Sequence, residues 1–145
     1  MDLIQGVTIT KLIQVKNPLG DIFHVLKKNE LNEFNFGEAY FSFVKYNTIK
    51  SWKKHNKMTL NIVVPIGKIK FVFYDDREDS KTYLKFIEYI IGPDVNYVRL
   101  RIEPGIWMAF QGLGCETNML LNIADTEHDP GEAIRCDLNN FKYEW

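Results

Sequence analysis

Turn residues cut this chain roughly every eight to twelve positions, and no stretch between them carries a long amphipathic helical period. Asn17-Pro18-Leu19-Gly20-Asp21, Pro65-Ile66-Gly67, Gly92-Pro93-Asp94 and Pro104-Gly105 each combine a residue that presets φ with one that tolerates positive φ. Between them lie short β-branched or aromatic segments, at residues 2–15, 22–26, 39–46, 82–91, 97–102, 106–110 and 118–124. Segment 97–102 alternates most cleanly, with Val98, Leu100 and Ile102 toward a core. Segment 39–46 carries Tyr40, Phe41, Phe43 and Tyr46 on both faces, so it is expected to be buried on both sides or packed at an interface. Residues 27–36 are polar and read as a loop or short helix. Such punctuation predicts an all-β chain, a sandwich or barrel.

The densest stretch is 47–77. A basic, aromatic-bearing segment leads into an apolar run, a turn at Pro65-Ile66-Gly67, and an alternation of Ile69, Phe71 and Phe73 with Lys70, Val72 and Tyr74, which reads as a β-hairpin. With 145 residues, the chain is expected to form one domain, 1–145. A net charge of −1 argues against nucleic-acid binding through bulk electrostatics. No apolar run approaches the roughly 20 residues of a membrane span, and no signal peptide is evident, so a cytoplasmic protein is expected. Cys115 and Cys136 are isolated and read as reduced thiols.

Lys50, Lys53, Lys54, His55 and Lys57 fall within eight positions. They could grip a phosphate-bearing ligand, with Trp52 as a stacking surface. The plainer reading is a solvated strand whose lysines discourage edge pairing. Of the histidines, His24, His55 and His128, the one inside this segment is the best candidate. The run D-T-E-H-D-P-G-E at 125–132 lacks EF-hand spacing and reads as an exposed polar loop. The G-x-S-x-G, P-loop, G-x-G-x-x-G and H-E-x-x-H patterns are absent, which leaves serine-hydrolase, nucleotide-triphosphatase, dinucleotide and zincin readings without support.

The segment G-K-I-K-F-V-F-Y-D-D-R-E-D-S-K-T, residues 67–82, resembles the G-x-I-x-x-V-x-x-D-x-R-x-x-S-x-T stretch of the dTDP-4-dehydrorhamnose 3,5-epimerase family. Gly20 fits its R-G-x-F element, with Leu19 in place of Arg, and Ser42 fits its Q-x-N-x-S strand, with Glu38 and Tyr40 in place of Gln and Asn. I-K-S-W-K-K-H stands where that family has L-R-G-L-H-Y-Q, and E-P-G-I-W-M-A-F where it has P-P-G-F-A-H-G-F. D-P-G-E-A-I-R-C-D and the terminal Trp145 are similar to its ending. A branch carrying I-K-G-W-H-x-H-K and H-D-P-x-E looks nearest. The resemblance implies a double-stranded β-helix of the cupin jelly-roll type, usually a homodimer with exchanged strands.

In that family a His–Asp pair removes the proton α to a 4-keto group and a Tyr protonates the opposite face. The resemblance places the base at Lys53, its Asp at Asp137 and the Tyr at Asn122, with Lys50 keeping the charge that holds a diphosphate. A lysine starts about three pH units too high for this base. His55, on the same strand face two residues on, is the expected replacement. Glu38, Ser42, Trp52 and Asn122 are the further expected substrate contacts. Metal-dependent cupins resemble G-x5-H-x-H-x4-E-x6-G, followed by P-x-G-x2-H. This chain offers Lys53, His55, Leu60 and Met108 at the four ligand positions, so no catalytic metal and no cofactor are expected. Three functions follow: an epimerase or keto-isomerase of a nucleotide-linked 4-keto-6-deoxyhexose for surface polysaccharide; a non-catalytic cupin binding a sugar nucleotide or glycan; and a single-strand nucleic-acid platform built on Trp52. The first is preferred because the site-facing positions stay polar.

Overall fold

A computed structural model describes residues 3–30 and 35–145. Residues 2 and 31–34, which fall within two of the segments above, lie outside the described residues. The strands are β1 (Val7–Lys11), β2 (Gln14–Val15), β3 (Ile22–Phe23), β4 (Glu38–Phe43), β5 (Ile49–His55) and β6 (Leu60–Ile66), then β7 (Ile69–Tyr74), β8 (Phe86–Ile91), β9 (Val98–Ile102), β10 (Trp107–Gly112), β11 (Met119–Ala124) and β12 (Ala133–Arg135). The only helical elements among the described residues are short 3-10 turns.

Two five-stranded antiparallel sheets face each other, in the orders β1-β9-β6-β11-β4 and β12-β5-β10-β7-β8. Leu60, Ile62, Val64 and Leu100 of the first meet Ile69, Phe71, Phe73 and Met108 of the second in the shared core. Successive strands from β8 to β12 switch sheets at every step. This winding is the double-stranded β-helix of the cupins, and the fold expected from the sequence is the one observed.

The stretch 47–77 is not a hairpin. β5 and β7 belong to one sheet and β6 to the other, so the turn at Gly67 is a crossover between sheets. Alternation around a tight turn looks the same in both cases, because pairing partners are set far away in sequence. Gly67 has φ 79°, and a Cβ there would lie 2.3 Å from the Thr117 carbonyl oxygen, so the crossover requires glycine.

Three other expectations change. Of the two readings of segment 39–46, burial on both sides fails and packing at an interface is left: β4 is an edge strand, and Phe41 and Phe43 are more than half exposed. Segment 82–91 is strand only from Phe86, because Leu84 turns with φ 61°. Segment 22–26 contributes two strand residues, which form a small separate ribbon with β2.

A second apolar cluster lies on the outer face of the β5–β10–β7 sheet. Trp52, Val72, Trp107 and Ala109 are buried there beneath Leu138, Phe141, Tyr143 and Trp145 of the C-terminal segment.

Candidate active site

The two sheets part at one end to leave a cavity of about 160 Å³. One wall comes from β5, β10 and β12 and presents Lys50, Lys53, His55, Phe110 and Arg135. The opposite wall, from β4, β6 and β11, presents Tyr40, Ser42, Ile62 and Asn122.

Simple alternation would put Lys50 and Lys53 on opposite faces of β5. The strand instead carries a register shift: Met108 pairs with Lys53 and Phe110 with Lys50, so two residues of β10 span three of β5. Such a bulge re-aims side chains. It brings Lys50 to the cavity alongside Lys53 and His55, while Trp52 and Lys54, alternating with those two, face outward.

Trp52 is therefore not a stacking surface, contrary to expectation. It is 1% exposed, sits edge-on to Phe141 at 5.3 Å, and its indole N–H donates to the Leu138 carbonyl. With it goes the physical basis of the nucleic-acid platform. Lys54 is held by both oxygens of Asp76, at 3.0 and 2.9 Å, above the Trp107 ring. β5 lies between β12 and β10, so its lysines do not guard a sheet edge either.

Asp137 does not pair with Lys53. It is exposed at the start of a 3-10 turn and does not line the cavity. β12 ends at Arg135, and Arg135 is the residue directly across from Lys53.

The carboxylate that reaches His55 is Glu132. Its Oε2 lies 2.7 Å from His55 Nδ1, and its Oε1 accepts from the backbone N–H groups of Lys57 and Met58, both at 2.9 Å. Burial pushes the Glu132 carboxyl up, but the bonds from His55 and these two amides outweigh it and hold it at about 2. An ionised Glu132 fixes the proton on Nδ1 and leaves Nε2 as the lone-pair nitrogen. Burial, with Lys53 nearby, lowers the His55 pKa despite its bond to Glu132, so the imidazole is neutral at physiological pH. The H-D-P-x-E pattern carried the clue to Glu132, which sits fourth after His128 in H-D-P-G-E.

Lys53 and Arg135 face each other as like charges, and neither is ion-paired among the described residues. Burial first, then Arg135, lowers the Lys53 pKa. Adjacent like charges at a cavity wall favour an anionic ligand. Lys50 reaches across the cavity to Ser42, Nζ to Oγ 2.7 Å, and lies 5.9 Å from the Phe110 ring centre. Glu38, half-buried on β4, acts on the Lys53 charge without lining the cavity. Asn122 is 1% exposed; its Nδ2 donates to the Tyr40 hydroxyl at 3.1 Å, and its Oδ1 has no partner among the described residues. An unpaired buried acceptor costs about 1–3 kcal/mol, which a hydroxyl-bearing ligand would recover.

His24 and His128 are exposed and outside the cavity. In the 125–132 loop Asp125 and Asp129 accept backbone amides at 2.8 and 2.9 Å, and only Glu132 is buried. Among the described residues, no three His, Cys, Asp or Glu side chains converge as a metal site would require.

A cupin barrel with a carboxylate-bound histidine in a cation-lined mouth is equipped for acid–base chemistry on an anionic ligand. No family model matches the chain. It is 30% identical over 112 residues to the probable low-salt glycan biosynthesis epimerase of Haloferax volcanii, a match covering 74% of this chain and 71% of that one. It is 28% identical over 147 residues to a spore coat polysaccharide biosynthesis protein of Bacillus subtilis, covering 99% and 97%. The crystal structure of a dTDP-sugar isomerase from Desulfovibrio desulfuricans superposes with a TM-score of 0.90 at 33% identity, covering 97% of this chain and 90% of that one. The chain belongs to the dTDP-4-dehydrorhamnose 3,5-epimerase-like family of nucleotide-sugar epimerases and isomerases.

Proposed function

We propose that this protein is an isomerase acting on a nucleotide-linked, dTDP-type 4-keto-6-deoxyhexose for surface polysaccharide, and that His55 is its base. His55 Nε2 takes the proton α to the ketone. Glu132 holds the ring and stabilises the imidazolium that forms. Lys53 and Arg135 offer the positive wall for the diphosphate or the developing enolate oxygen, and Lys50 and Ser42 close the cavity across its width. Asn122 and Ser42 contribute to the sugar side. The observation that carries this reading is the buried 2.7 Å contact between His55 Nδ1 and Glu132, which prepares the opposite ring nitrogen as a base inside a cavity. A protein that only binds has no need of a neutral, oriented imidazole, and the non-catalytic reading is not retained. Incubating the protein with dTDP-4-keto-6-deoxyglucose in D2O should place deuterium on a carbon α to the ketone. Absence of exchange with this and other nucleotide-linked 4-keto-sugars would sink the proposal.

Two further points belong to the same reading. A homodimer is supported by the edge strand β4, which exposes Phe41 at 62% and Phe43 at 61% beside Phe36 at 68%; light scattering giving a monomer mass would refute it. A cytoplasmic location is supported by the free thiols Cys115 and Cys136. Among the described residues, no helix is long and apolar enough to cross a membrane.

A further inference from the structure

His55 accounts for removing a proton, but inverting a carbon also requires a proton delivered from the other side. The cavity is built between two sheets, and His55 with Lys53 and Arg135 occupies one of them. A sugar ring lying between the walls therefore shows its second face to β4, β6 and β11. Their contributions include the apolar Leu60, Ile62 and Leu120, together with Ser42, Asn122 and Tyr40. The aliphatic hydroxyl of Ser42, which accepts the Lys50 ammonium at 2.7 Å, and the amide of Asn122 are far weaker acids than a phenol. Tyr40 remains.

We infer that Tyr40 is the proton donor on the face opposite His55, with Asn122 as its positioning residue; this rests on the function proposed above. Tyr40 and Asn122 are direct cross-strand partners in the β4–β11 register, and both line the cavity. Asn122 Nδ2 donates to the Tyr40 oxygen at 3.1 Å, which leaves the phenol's own hydrogen free to be given away. The same donor stabilises the negative oxygen that remains after the transfer. The resemblance placed the acid at Asn122 itself. The structure keeps a phenol in that part of the site, but suspends it from the neighbouring strand.

The step balances as a proton relay. The C–H bond α to the ketone breaks, its proton goes to His55 Nε2, and the electron pair moves to the ketone oxygen as an enolate. The enolate carbon then takes the Tyr40 hydroxyl proton on its other face as the C=O bond re-forms, leaving a phenolate. Tyr40 is 42% exposed, so water can return its proton while His55 releases one at the cavity mouth.

The test uses the full chain with dTDP-4-keto-6-deoxyglucose in D2O, reading deuterium incorporation and product configuration separately by NMR. Tyr40→Phe should lower inversion at least a hundredfold while keeping exchange within about tenfold of the unaltered protein, because His55 still removes and returns a proton on its own side. Tyr40→His should restore part of the inversion, and Tyr40→Leu none. These two variants are read even if Tyr40→Phe does not fold. Inversion unchanged in Tyr40→Phe overturns the assignment of Tyr40 alone. Loss of exchange and inversion together, at unchanged melting temperature, also overturns it, in favour of a binding role. Failure of the unaltered protein to exchange any deuterium removes the proposed function and this assignment with it.

Discussion

Asp75 and Glu132 are two buried carboxylates in one small barrel, and they do different work. Asp75 is fully buried and accepts from Arg77 Nε at 2.8 Å, Arg77 Nη2 at 2.9 Å, the Arg77 amide at 3.1 Å, Ser80 Oγ at 2.5 Å and Thr82 Oγ1 at 2.6 Å. Burial pushes its carboxyl up, and these donors pull it well below the usual carboxylate range. All of them come from the loop that follows β7, so the cluster is a clasp that closes on itself. Thr82 also accepts the Gln5 amide and ties the chain's beginning to that loop. Glu132 is satisfied by two backbone amides and by a ring that has a second nitrogen. A carboxylate saturated by its own loop fixes a shape; one that shares its charge with an imidazole at a cavity prepares a reaction. The motif that carries the family resemblance most visibly, D-x-R-x-x-S-x-T, is the clasp and not the site.

His55→Asn sharpens that contrast most. It should cost about 10²–10⁴-fold in turnover, with little change in melting temperature, since the amide can still donate to Glu132. Comparable loss of folding and activity would erase the distinction. Glu132→Gln should follow, with about 10–100-fold lost in kcat and KM nearly constant, because the ring loses its fixed tautomer while the cavity keeps its cations. Asp75→Asn should do the reverse. It leaves Arg77 without its carboxylate and should lower stability by about 2–3 kcal/mol in denaturant melts, discounted from a fully buried pair because Arg77 is partly exposed. Activity per folded molecule should be unchanged.

Acid separates the two regions by degree. Both carboxyls are depressed in the folded state, so their stabilisation is complete above the unfolded carboxylate range near 4.5. It fades as pH falls toward the folded values, about 2 for Glu132. His55 is depressed below 6.5, so the acid limb of kcat/KM should lie under that point, while the fold is still intact. An acid limb above 6.5 would show that the base is not this imidazole. The smallest effect is expected from Asp137→Asn, which should leave turnover within twofold because that side chain is exposed and away from the cavity. A hundredfold loss would restore the Lys53–Asp137 pairing implied by the resemblance.

Much of the site was legible because strand side chains alternate: once Lys53 faced inward, His55 had to follow. The same rule turns Trp52 outward, but Lys50 was not legible by it, because the bulge in β5 inverts the parity between Lys50 and Lys53. A bulge is a property of how β5 pairs with β10, over fifty residues away along the chain. Glu132 escaped for a related reason: in sequence it sits in an acidic, exposed loop, and only the pairing of β12 with β5 carries it to His55. Tyr40 read as one aromatic among several in β4. Its partner across the ladder, Asn122, is what marks it out.

The residues alone determined that this chain is all β and where most of its strands and turns fall, because period and turn chemistry are local properties. Only the folded chain decided which sheet each strand joins, which carboxylate meets the histidine, and which face of β5 sees the cavity. Those are consequences of cross-strand register between segments distant in sequence, and a shift of one residue there turns every side chain to the other side.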